Sequence, residues 1–236
     1  MRVTLVFGAS GSIGRAICNR LQQQGFRVIG SGRSERPLEL SFLPWVQWTQ
    51  DSQAFATQLD ESLAGSKIDS VIWAQGINFN DQVEDFDLPR HLEMYEANVT
   101  FILITLQLLL DKSLLSRSAK LCVISSIWQN IARQNKLSYC ITKSALQGLI
   151  QSLSIDLGKN GILINAVLPG ALDTEMTRKN LSTTQIQCLE NATPLKSLPD
   201  LSDVTGLVDY LCSASNTGIT GQFIAADRGF SNARIL

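Results

Sequence analysis

The stretch Arg2-Val3-Thr4-Leu5-Val6-Phe7-Gly8-Ala9-Ser10-Gly11-Ser12-Ile13-Gly14 decides the fold of this chain. Its first six residues form a short apolar run typical of a β-strand, and the glycines that follow allow a tight turn into a helix. In such a turn, backbone N–H groups can approach a pyrophosphate at the helix N-terminus, where the helix dipole favours negative charge. The stretch therefore predicts a strand, a phosphate-binding turn and a helix over Ser12–Gln24. A plain strand-to-helix turn is the alternative.

Apolar strand-like runs and helical patterns alternate along the rest of the chain. Further strands are predicted at Arg27–Ser31, Trp45–Thr49, Ser70–Ala74, Lys120–Ile124, Ile162–Val167 and Gln222–Ala225. Further helices are predicted at Ser52–Leu63, Pro89–Leu110 and Asn135–Lys159. This alternation implies right-handed crossovers and a parallel sheet. The predicted fold class is α/β: one doubly wound Rossmann domain over residues 1–236, with seven parallel strands and helices on both faces.

The segment 170–202 interrupts this alternation. It is polar, contains Pro194 and Pro199, and lies between the last two predicted strands. Long insertions in compact domains are often functional, so we interpret the segment as a substrate-binding lid or loop within the domain. A solvated surface loop is the alternative.

Composition and charge exclude several classes of function. Hydrophobic residues make up 44% of the 236 residues, and the formal net charge is −1, which argues against nucleic acid or an anionic membrane as partner. The longest apolar stretch, Val99–Leu110, is well short of the roughly 20 residues that span a bilayer. The apolar run at the N-terminus is too short for a signal peptide. Five cysteines without CxxC spacing and a single histidine predict a cytoplasmic protein with free thiols and no metal site.

The end of the second strand favours one nicotinamide cofactor over the other. NAD(H)-binding proteins place a carboxylate there to hold the ribose 2′-hydroxyl. This chain has Ser31-Gly32-Arg33-Ser34 instead. Arg33 could pair with a 2′-phosphate, helped by Arg15 and the Ser34 hydroxyl, so the sequence predicts NADP(H) rather than NAD(H). The alternative for Arg33 is a solvated loop arginine.

Four polar residues form a candidate catalytic group. Tyr139 and Lys143 are four residues apart, which places them on one face of a helix. Ser126 follows an apolar strand, at the sheet edge where ligands bind in open α/β folds. Asn98 lies inside the long helix, where asparagine is unfavourable, and this suggests a local task such as opening the helix to place a water.

Together these residues resemble the short-chain dehydrogenase/reductase family over nearly the whole chain. Asn98, Ser126, Tyr139 and Lys143 match the catalytic tetrad of that family. The resemblance implies that Tyr139 donates or takes the proton and that Lys143 binds the ribose and lowers the tyrosine pKa. It also implies that Ser126 orients the substrate oxygen, and that Asn98 positions a water.

The resemblance also supplies cofactor contacts, with Asp51 as the residue that contacts the adenine. The implied set is Gly8, Ser10, Ser12, Ile13, Gly14, Arg33, Asp51, Ala74, Gly76, Tyr139, Lys143, Pro169, Gly170, Leu172 and Thr174. The chain departs from the family at Trp73-Ala74-Gln75-Gly76, where Asn-Asn-Ala-Gly is usual, and at Asp227-Arg228-Gly229, where Asp-Gly-Gly is usual. Gly11 replaces the usual glycine at Ser12, a spacing found in the nucleotide-sugar branch of the superfamily.

The implied activity is an NADP(H)-dependent hydride transfer to or from a small carbonyl or secondary alcohol substrate. Ser126, Trp128 and Tyr139 are the candidate substrate-binding residues. A nucleotide-sugar epimerase or dehydratase, and a noncatalytic NADP-binding sensor, remain as alternatives. By the same resemblance, the apolar helices Val99–Leu110 and Ser144–Leu157 would form the interface of a homodimer or homotetramer. Burial against the sheet is the other explanation for these helices.

Overall fold

The computed structural model of the protein describes residues 1–49 and 51–233. Seven parallel strands form one sheet in the order β3-β2-β1-β4-β5-β6-β7. The strands are β1 Val3–Phe7, β2 Arg27–Gly32, β3 Trp45–Gln47, β4 Ile68–Trp73, β5 Leu115–Ile124, β6 Leu163–Pro169 and β7 Phe223–Ala226. This sheet confirms the predicted α/β fold, because each strand returns in parallel through a crossover.

Helices cover both faces of the sheet. They are α1 Ser12–Gln23, α2 Ser52–Leu63, α3 Leu88–Tyr95, α4 Phe101–Asp111, α5 Leu137–Gly158, α6 Glu175–Asn180, α7 Thr183–Ala192 and α8 Leu201–Cys212. The apolar residues of α2, α4 and α5 share one core with the sheet, and those of α1 and α8 share the other. Each β1 residue is buried, with Leu5 and Phe7 in the first core and Val6 in the second. A central strand buried on both faces requires the unbroken apolar run that the sequence shows.

The strand order reverses between β1 and β4, and this reversal opens a cleft. From β1 the chain moves outward through β2 and β3, and then returns to place β4 on the other side of β1. The connections after β1 and β4 therefore run in opposite directions and leave a crevice at the carboxyl ends of these strands. Open α/β sheets bind their ligands in such a crevice.

Trp73, which stands where the family has an asparagine, is an internal part of the core. Its indole Nε1 donates to Thr105 Oγ1 on α4 at 2.9 Å, and both residues are fully buried. Its ring stacks on that of Phe7, with 6.0 Å between the centroids. The hydrogen bond satisfies the buried indole N–H and fixes β4 against α4.

The predicted helix Pro89–Leu110 is interrupted. A π-helical turn, Glu96–Thr100, joins α3 to α4 and contains Asn98. One extra residue per turn at this point changes the direction of the side chains relative to a regular helix. The expectation that Asn98 opens the helix agrees with this geometry.

The predicted loop 170–202 is partly helical. It contains α6, which Thr174 caps, and α7, which begins with a capping box formed by Ser182 and Gln185. Helix α8 was not predicted. It begins where Asp200 and Asp203 form a second capping box. These caps satisfy the free N–H groups at the helix starts, a signal that periodicity alone does not reveal in short polar helices.

The stretch Leu88–Asp111 has the length and composition of a membrane-spanning helix, a property that core helices of soluble proteins share. In this fold Ile102, Leu106 and Leu109 pack in the core beside the sheet. The π-helical turn also brings the buried polar side chain of Asn98 into the middle of the stretch. The buried face of this stretch therefore belongs to the core, and its other face is exposed.

Candidate active site

A cleft of about 490 Å³ lies at the carboxyl ends of β1 to β4. The residues that follow the strands form most of its wall, and the α3–α4 region closes one side. The lining residues are Phe7, Gly8, Ser10, Gly11, Ser31, Gly32, Arg33, Trp48, Thr49, Ala74, Gln75, Gly76, Ile77, Glu93, Glu96, Ala97 and Phe101. Its position matches the crevice expected at the reversal of strand order.

The glycine turn requires its glycines. Gly8 has φ +73°, and a Cβ there would lie 2.5 Å from the backbone nitrogen of Gln75. A Cβ on Gly14 would lie 2.2 Å from the carbonyl oxygen of Gly8. Helix α1 then begins at Ser12 with Gly11 as its N-cap, so no side chain caps the first N–H groups. The turn thus presents a helix N-terminus to the cleft, the arrangement that binds phosphate groups.

The catalytic candidates on β5 and α5 meet at one end of this region. Ser126, two residues after β5, lies close enough to Tyr139, in the first turn of α5, for its hydroxyl to lower the pKa of the phenol. Lys143 lies one turn further along, with Nζ 5.6 Å from the centroid of the Tyr139 ring. Lys143 Nζ also donates to the Ile124 carbonyl oxygen at 3.1 Å, which fixes the ammonium under the end of β5. Tyrosine and lysine share one helix face, as their spacing predicted.

Burial controls the protonation of both groups. It raises the pKa of Tyr139 to about 12, against the lowering effect of the Ser126 hydrogen bond. It lowers the pKa of the Lys143 ammonium to about 8. The expected lowering of the tyrosine pKa by the lysine is therefore not seen in the protein alone, because desolvation dominates at both side chains. The phenol is protonated near neutral pH, which is the form that a proton donor needs.

Asn98 braces the site through its side-chain amide. Its Oδ1 accepts from the backbone N–H of Ile77 at 2.9 Å, and its Nδ2 donates to the Ile77 carbonyl oxygen and to Thr142 Oγ1. A Cβ on Gly76 would lie 2.8 Å from this Oδ1, so only glycine leaves room for the amide. Asn98 thus connects the loop after β4 to α5 by hydrogen bonds. These bonds fix the loop, although the asparagines that the family usually has in it are absent. The water that the resemblance assigns to Asn98 stays a prediction.

The cleft fits a dinucleotide in shape and in polarity. Two polar side-chain atoms of lining residues, Ser31 Oγ and Gln75 Oε1, are buried without a hydrogen-bond partner. Buried polar atoms are nearly always paired, and hydroxyl groups of a bound ribose would supply partners here. Arg33 adds an exposed guanidinium at the end of β2 for a phosphate. These features, with the uncapped start of α1, are those that a nicotinamide dinucleotide requires.

Asp51 lies at the start of α2, and its contact with the adenine stays a prediction. Its Oδ1 accepts from the backbone N–H groups of Gln53 and Ala54, so it caps α2, and it is absent from the cleft wall. Trp48 and Thr49 form the wall after β3 instead. An acidic residue before a helix that begins at Ser52 is an N-cap signal, and the sequence contained it.

The predicted cofactor contacts after β6 lie at the same edge of the sheet but outside the described cleft wall. Gly170 packs against Asp227, where a Cβ would approach within 2.9 Å. Leu172 is buried in the core of α1 and α8, and the Thr174 hydroxyl caps α6. Their contacts with a cofactor stay predictions, as do those of Pro169, the last residue of β6.

Several cleft residues were missed by the sequence interpretation. Ser31 lies near the carboxyl end of β2, and Trp48 and Gln75 follow β3 and β4, so the rule that ligands bind at the carboxyl edge could have identified them. Glu93 and Glu96 come from the long helix, and no local motif marks them. Their position depends on how α3 packs beside the cleft, which periodicity does not specify.

Contacts with three other residues fix the position of Trp128, and its role in substrate binding stays a prediction. Its backbone N–H donates to Ser126 Oγ at 3.3 Å. Its ring contacts that of Phe230 edge-on, with 6.3 Å between centroids, and the guanidinium carbon of Arg133 lies 5.8 Å from the ring centroid. The indole is therefore held between the C-terminal loop and the segment that precedes α5.

A sequence profile described as enoyl-(acyl carrier protein) reductase matches residues 8–231. The chain is also 30% identical to a 3-oxoacyl-[acyl-carrier-protein] reductase of Rickettsia felis over 97% of its length and 96% of that protein. The chain belongs to the short-chain dehydrogenase/reductase family. A solved short-chain dehydrogenase family protein of Francisella tularensis superposes with a TM-score of 0.84 at 24% identity, covering 99% of this chain and 100% of that one.

Other short-chain dehydrogenase/reductase structures share the fold. The aldohexose dehydrogenase of Thermoplasma acidophilum has a TM-score of 0.89 at 22% identity, covering 100% of this chain and 96% of that one. The gluconate 5-dehydrogenase of Burkholderia cenocepacia was solved with NADP and tartrate. It has a TM-score of 0.88 at 20% identity, covering 99% of this chain and 96% of that one. The chain is therefore an oxidoreductase of this family with a nucleotide-binding Rossmann fold.

Proposed function

We propose that this protein is an NADP(H)-dependent oxidoreductase that interconverts a carbonyl group and a secondary alcohol in a small substrate. The observation that carries the proposal is the meeting of Ser126, Tyr139 and Lys143 beside a cleft that fits a dinucleotide. Asn98 completes the tetrad from the π-helical turn. A sensor without catalytic function would have no use for a proton donor and its partners in this arrangement.

The bound nicotinamide would supply the hydride, and the side chains of the protein would supply the proton and the alignment. The Ser126 and Tyr139 hydroxyls would both donate to the substrate carbonyl oxygen. As negative charge develops on that oxygen, Tyr139 transfers its proton to it. Lys143 opposes the negative charge left on the phenolate, and the low dielectric of the buried site strengthens this attraction.

The preference for NADP(H) over NAD(H) rests on the end of β2. Arg33 lines the cleft there, and no carboxylate stands in Ser31-Gly32-Arg33-Ser34 to hold a free 2′-hydroxyl. In the described part of the chain, Arg33 forms no ion pair, so its charge is available to a 2′-phosphate. The gluconate 5-dehydrogenase noted above was solved with NADP, which supports the same cofactor class.

The cofactor assignment is tested by steady-state kinetics on the parent and on Arg33→Ala. We expect the parent to oxidise NADPH with a kcat/KM at least about tenfold above that for NADH, since one charge-assisted contact contributes about 1.5–3 kcal/mol. Arg33→Ala should remove most of this ratio, while Arg36→Ala, whose guanidinium binds the Leu43 carbonyl oxygen, should keep it. A parent that uses both cofactors equally contradicts the assignment.

The carbonyl class is tested first with 3-oxo compounds, because the Rickettsia relative is named for reduction of a 3-oxoacyl group. A panel of 2-, 3- and 4-oxo acids, esters and simple ketones, assayed by loss of NADPH absorbance, covers the neighbouring classes. Turnover of at least one class that Tyr139→Phe abolishes supports the proposal. No turnover across the panel contradicts it.

We also propose a cytoplasmic location and a homodimeric or homotetrameric assembly. All five cysteines are free, as expected in a reducing compartment. The outward faces of α4 and α5 carry exposed apolar side chains, among them Leu103, Ile104 and Ile155. A second copy of the chain would cover them, since clustered exposed apolar residues favour association.

A further inference from the structure

A second ammonium group lies beside the ring of the catalytic tyrosine. Lys136 immediately precedes α5, and its Nζ lies 5.9 Å from the centroid of the Tyr139 ring. Lys143 lies on the same ring at 5.6 Å. The proposed mechanism assigns Lys143 a role, the stabilisation of the phenolate. It assigns no role to Lys136. A lysine side chain is flexible, so a fixed position for its charge near the reacting atoms needs an explanation.

The backbone of Lys136 is fixed by several contacts. It forms an isolated β-bridge with Asp81, in which Leu137 N donates to the Asp81 carbonyl oxygen and Asp81 N donates to that of Asn135. Asn135 has φ +58°, a left-handed conformation that costs free energy in a residue other than glycine. The Asp81 carboxylate accepts from Ser138 N, at the start of α5. This loop is therefore held in one shape directly before the catalytic helix.

The ammonium is oriented but its charge is not neutralised. Lys136 Nζ donates to Asn78 Oδ1 at 2.7 Å and to the Phe79 carbonyl oxygen at 3.3 Å, two uncharged acceptors in the loop after β4. A lysine has three donors, so one remains for another partner. Partial burial and the charge of Arg133 lower the pKa of Lys136, whereas Asp81 acts in the opposite direction. The Lys136 ammonium is therefore close enough to the Arg133 guanidinium for the two positive charges to repel each other.

Arg133 lies against Trp128. Within the residues that the structure describes, no carboxylate forms an ion pair with Arg133 or Lys136. Both positive charges therefore lie beside the aromatic residues that flank the Ser126 hydroxyl, and no described carboxylate is within ion-pair distance of either. Two like charges held together are unfavourable unless an anion joins them.

We propose that Lys136 and Arg133 form a subsite for a carboxylate on the substrate, so that the protein acts on short oxo acids and the matching hydroxy acids. This inference rests on the proposed function, since the carboxylate would be held while the carbonyl oxygen faces Tyr139 and Ser126. Lys136 supplies the oriented donor, and Arg133, beside Trp128, supplies a second charge. Two cations match the two oxygens of one carboxylate.

The test compares acids with their uncharged methyl esters. The pairs are pyruvate, acetoacetate and levulinate with their methyl esters, which vary the distance between carbonyl and carboxylate. In the parent, the kcat/KM ratio of acid to ester should exceed about tenfold for at least one pair. Lys136→Met should lower that ratio at least tenfold through KM, and Lys136→Arg should restore part of it. Lys159→Met, at the far end of the same helix, is the matched control and should leave the ratio at its parent value.

Direct binding separates this inference from the proposed function. Titration calorimetry of the NADP⁺-loaded protein with the preferred acid needs no turnover, because NADP⁺ cannot reduce a ketone. Saturable binding of the acid in the parent that is lost in Lys136→Met supports the subsite, even if no ketone is reduced. Equal binding by parent and Lys136→Met, no binding of any of the three acids, or a response to inorganic phosphate alone overturns it. Reduction of esters and acids with equal efficiency also overturns the subsite, while leaving the proposed function intact.

Discussion

At the scale of single residues, the site depends on hydroxyl and ammonium groups that are buried before any ligand binds. Burial raises the pKa of Tyr139 to about 12 and lowers that of Lys143 to about 8. Both shifts favour the uncharged form, as desolvation does for acids and bases alike. The site therefore holds its proton on the phenol, and ionisation of the phenol must be assisted by what binds beside it.

Removing the Tyr139 hydroxyl should stop the chemistry without dismantling the cleft. Tyr139→Phe should lower kcat by a factor of about 10² to 10⁴, because the proton donor is lost while the ring remains. Binding of NADPH, measured by fluorescence titration, should stay within a few-fold of the parent. Tyr210→Phe, at an exposed position on α8, should behave like the parent. A Tyr139→Phe variant with parental kcat would remove this residue from the mechanism.

Lys143 should make stability depend on pH in a predictable direction. The folded group has a pKa of about 8, against 10.5 as its ordinary value, so between these values the unfolded chain binds more protons than the folded protein. The free energy of unfolding should therefore rise with pH over this window, by about 3 kcal/mol for this group at most. The cost of burying the ammonium is fully present below pH 8.

Urea unfolding of the cofactor-free protein measures this effect. Parent and Lys143→Met are compared from below pH 8 to above pH 10.5, so that contributions from other groups largely cancel. The parent should gain stability relative to the variant as the pH rises. Parallel curves for the two proteins would show that the ammonium is not buried as the structure has it.

At the scale of elements, Arg228 connects the loop after β7 to the start of α8 by ion pairs and a hydrogen bond. Its guanidinium contacts Asp200 at 3.1 Å and Asp203 at 2.8 Å, and donates to Ser197 Oγ at 2.8 Å. Arg228 has φ +53°, where the family usually has glycine. The chain accepts an unfavourable backbone conformation here and gains contacts between the start of α8 and the loop after β7.

Two substitutions at this position separate the backbone effect from the ion pairs. Arg228→Ala should be less stable than the parent, because the contacts with both aspartates are lost while the left-handed backbone remains. Arg228→Gly should be more stable than Arg228→Ala by about 1 kcal/mol, since glycine adopts positive φ freely. Thermal unfolding of the parent and both variants measures the order of their stabilities. If Arg228→Ala melts with the parent, the ion pairs contribute nothing to stability.

The elements that the sequence predicted are those with strong periodicity or long apolar runs. All seven strands and helix α2 were found, although β5 begins five residues before its predicted start; the inner strands are easiest to find, because a doubly buried strand admits few polar side chains. Helices α6 and α7 were missed because they are short and begin at capping side chains; α8, as long as α2, was also missed and begins at the capping box of Asp200 and Asp203. Asp51 was assigned to the adenine from resemblance, although its place before Ser52 fits an N-cap equally well. The roles of Lys136 and Gln75 depend on contacts between distant segments, which no local pattern contains.

At the scale of the whole molecule, the apolar outer faces of α4 and α5 predict self-association. Ile155 is 79% exposed and Ile104 is 44% exposed, values unfavourable for apolar side chains left in water. Ile104→Asp and Ile155→Asp should shift the protein from dimer or tetramer to monomer in light scattering coupled to gel filtration. Leu38→Asp, at an exposed apolar residue outside these helices, should not. A monomeric parent would contradict the assembly.

The two outermost strands of the sheet, β3 and β7, are also its shortest. Strand β3 has three residues and β7 has four, whereas β5, inside the sheet, has ten. An outer strand offers its unpaired N–H and C=O groups to any extended chain nearby, and the number of such groups grows with its length. Two short edge strands offer few unpaired backbone groups to which a strand of another chain could pair. The architecture that gathers its long strands at the centre therefore also protects the protein against amyloid-like growth from its sides.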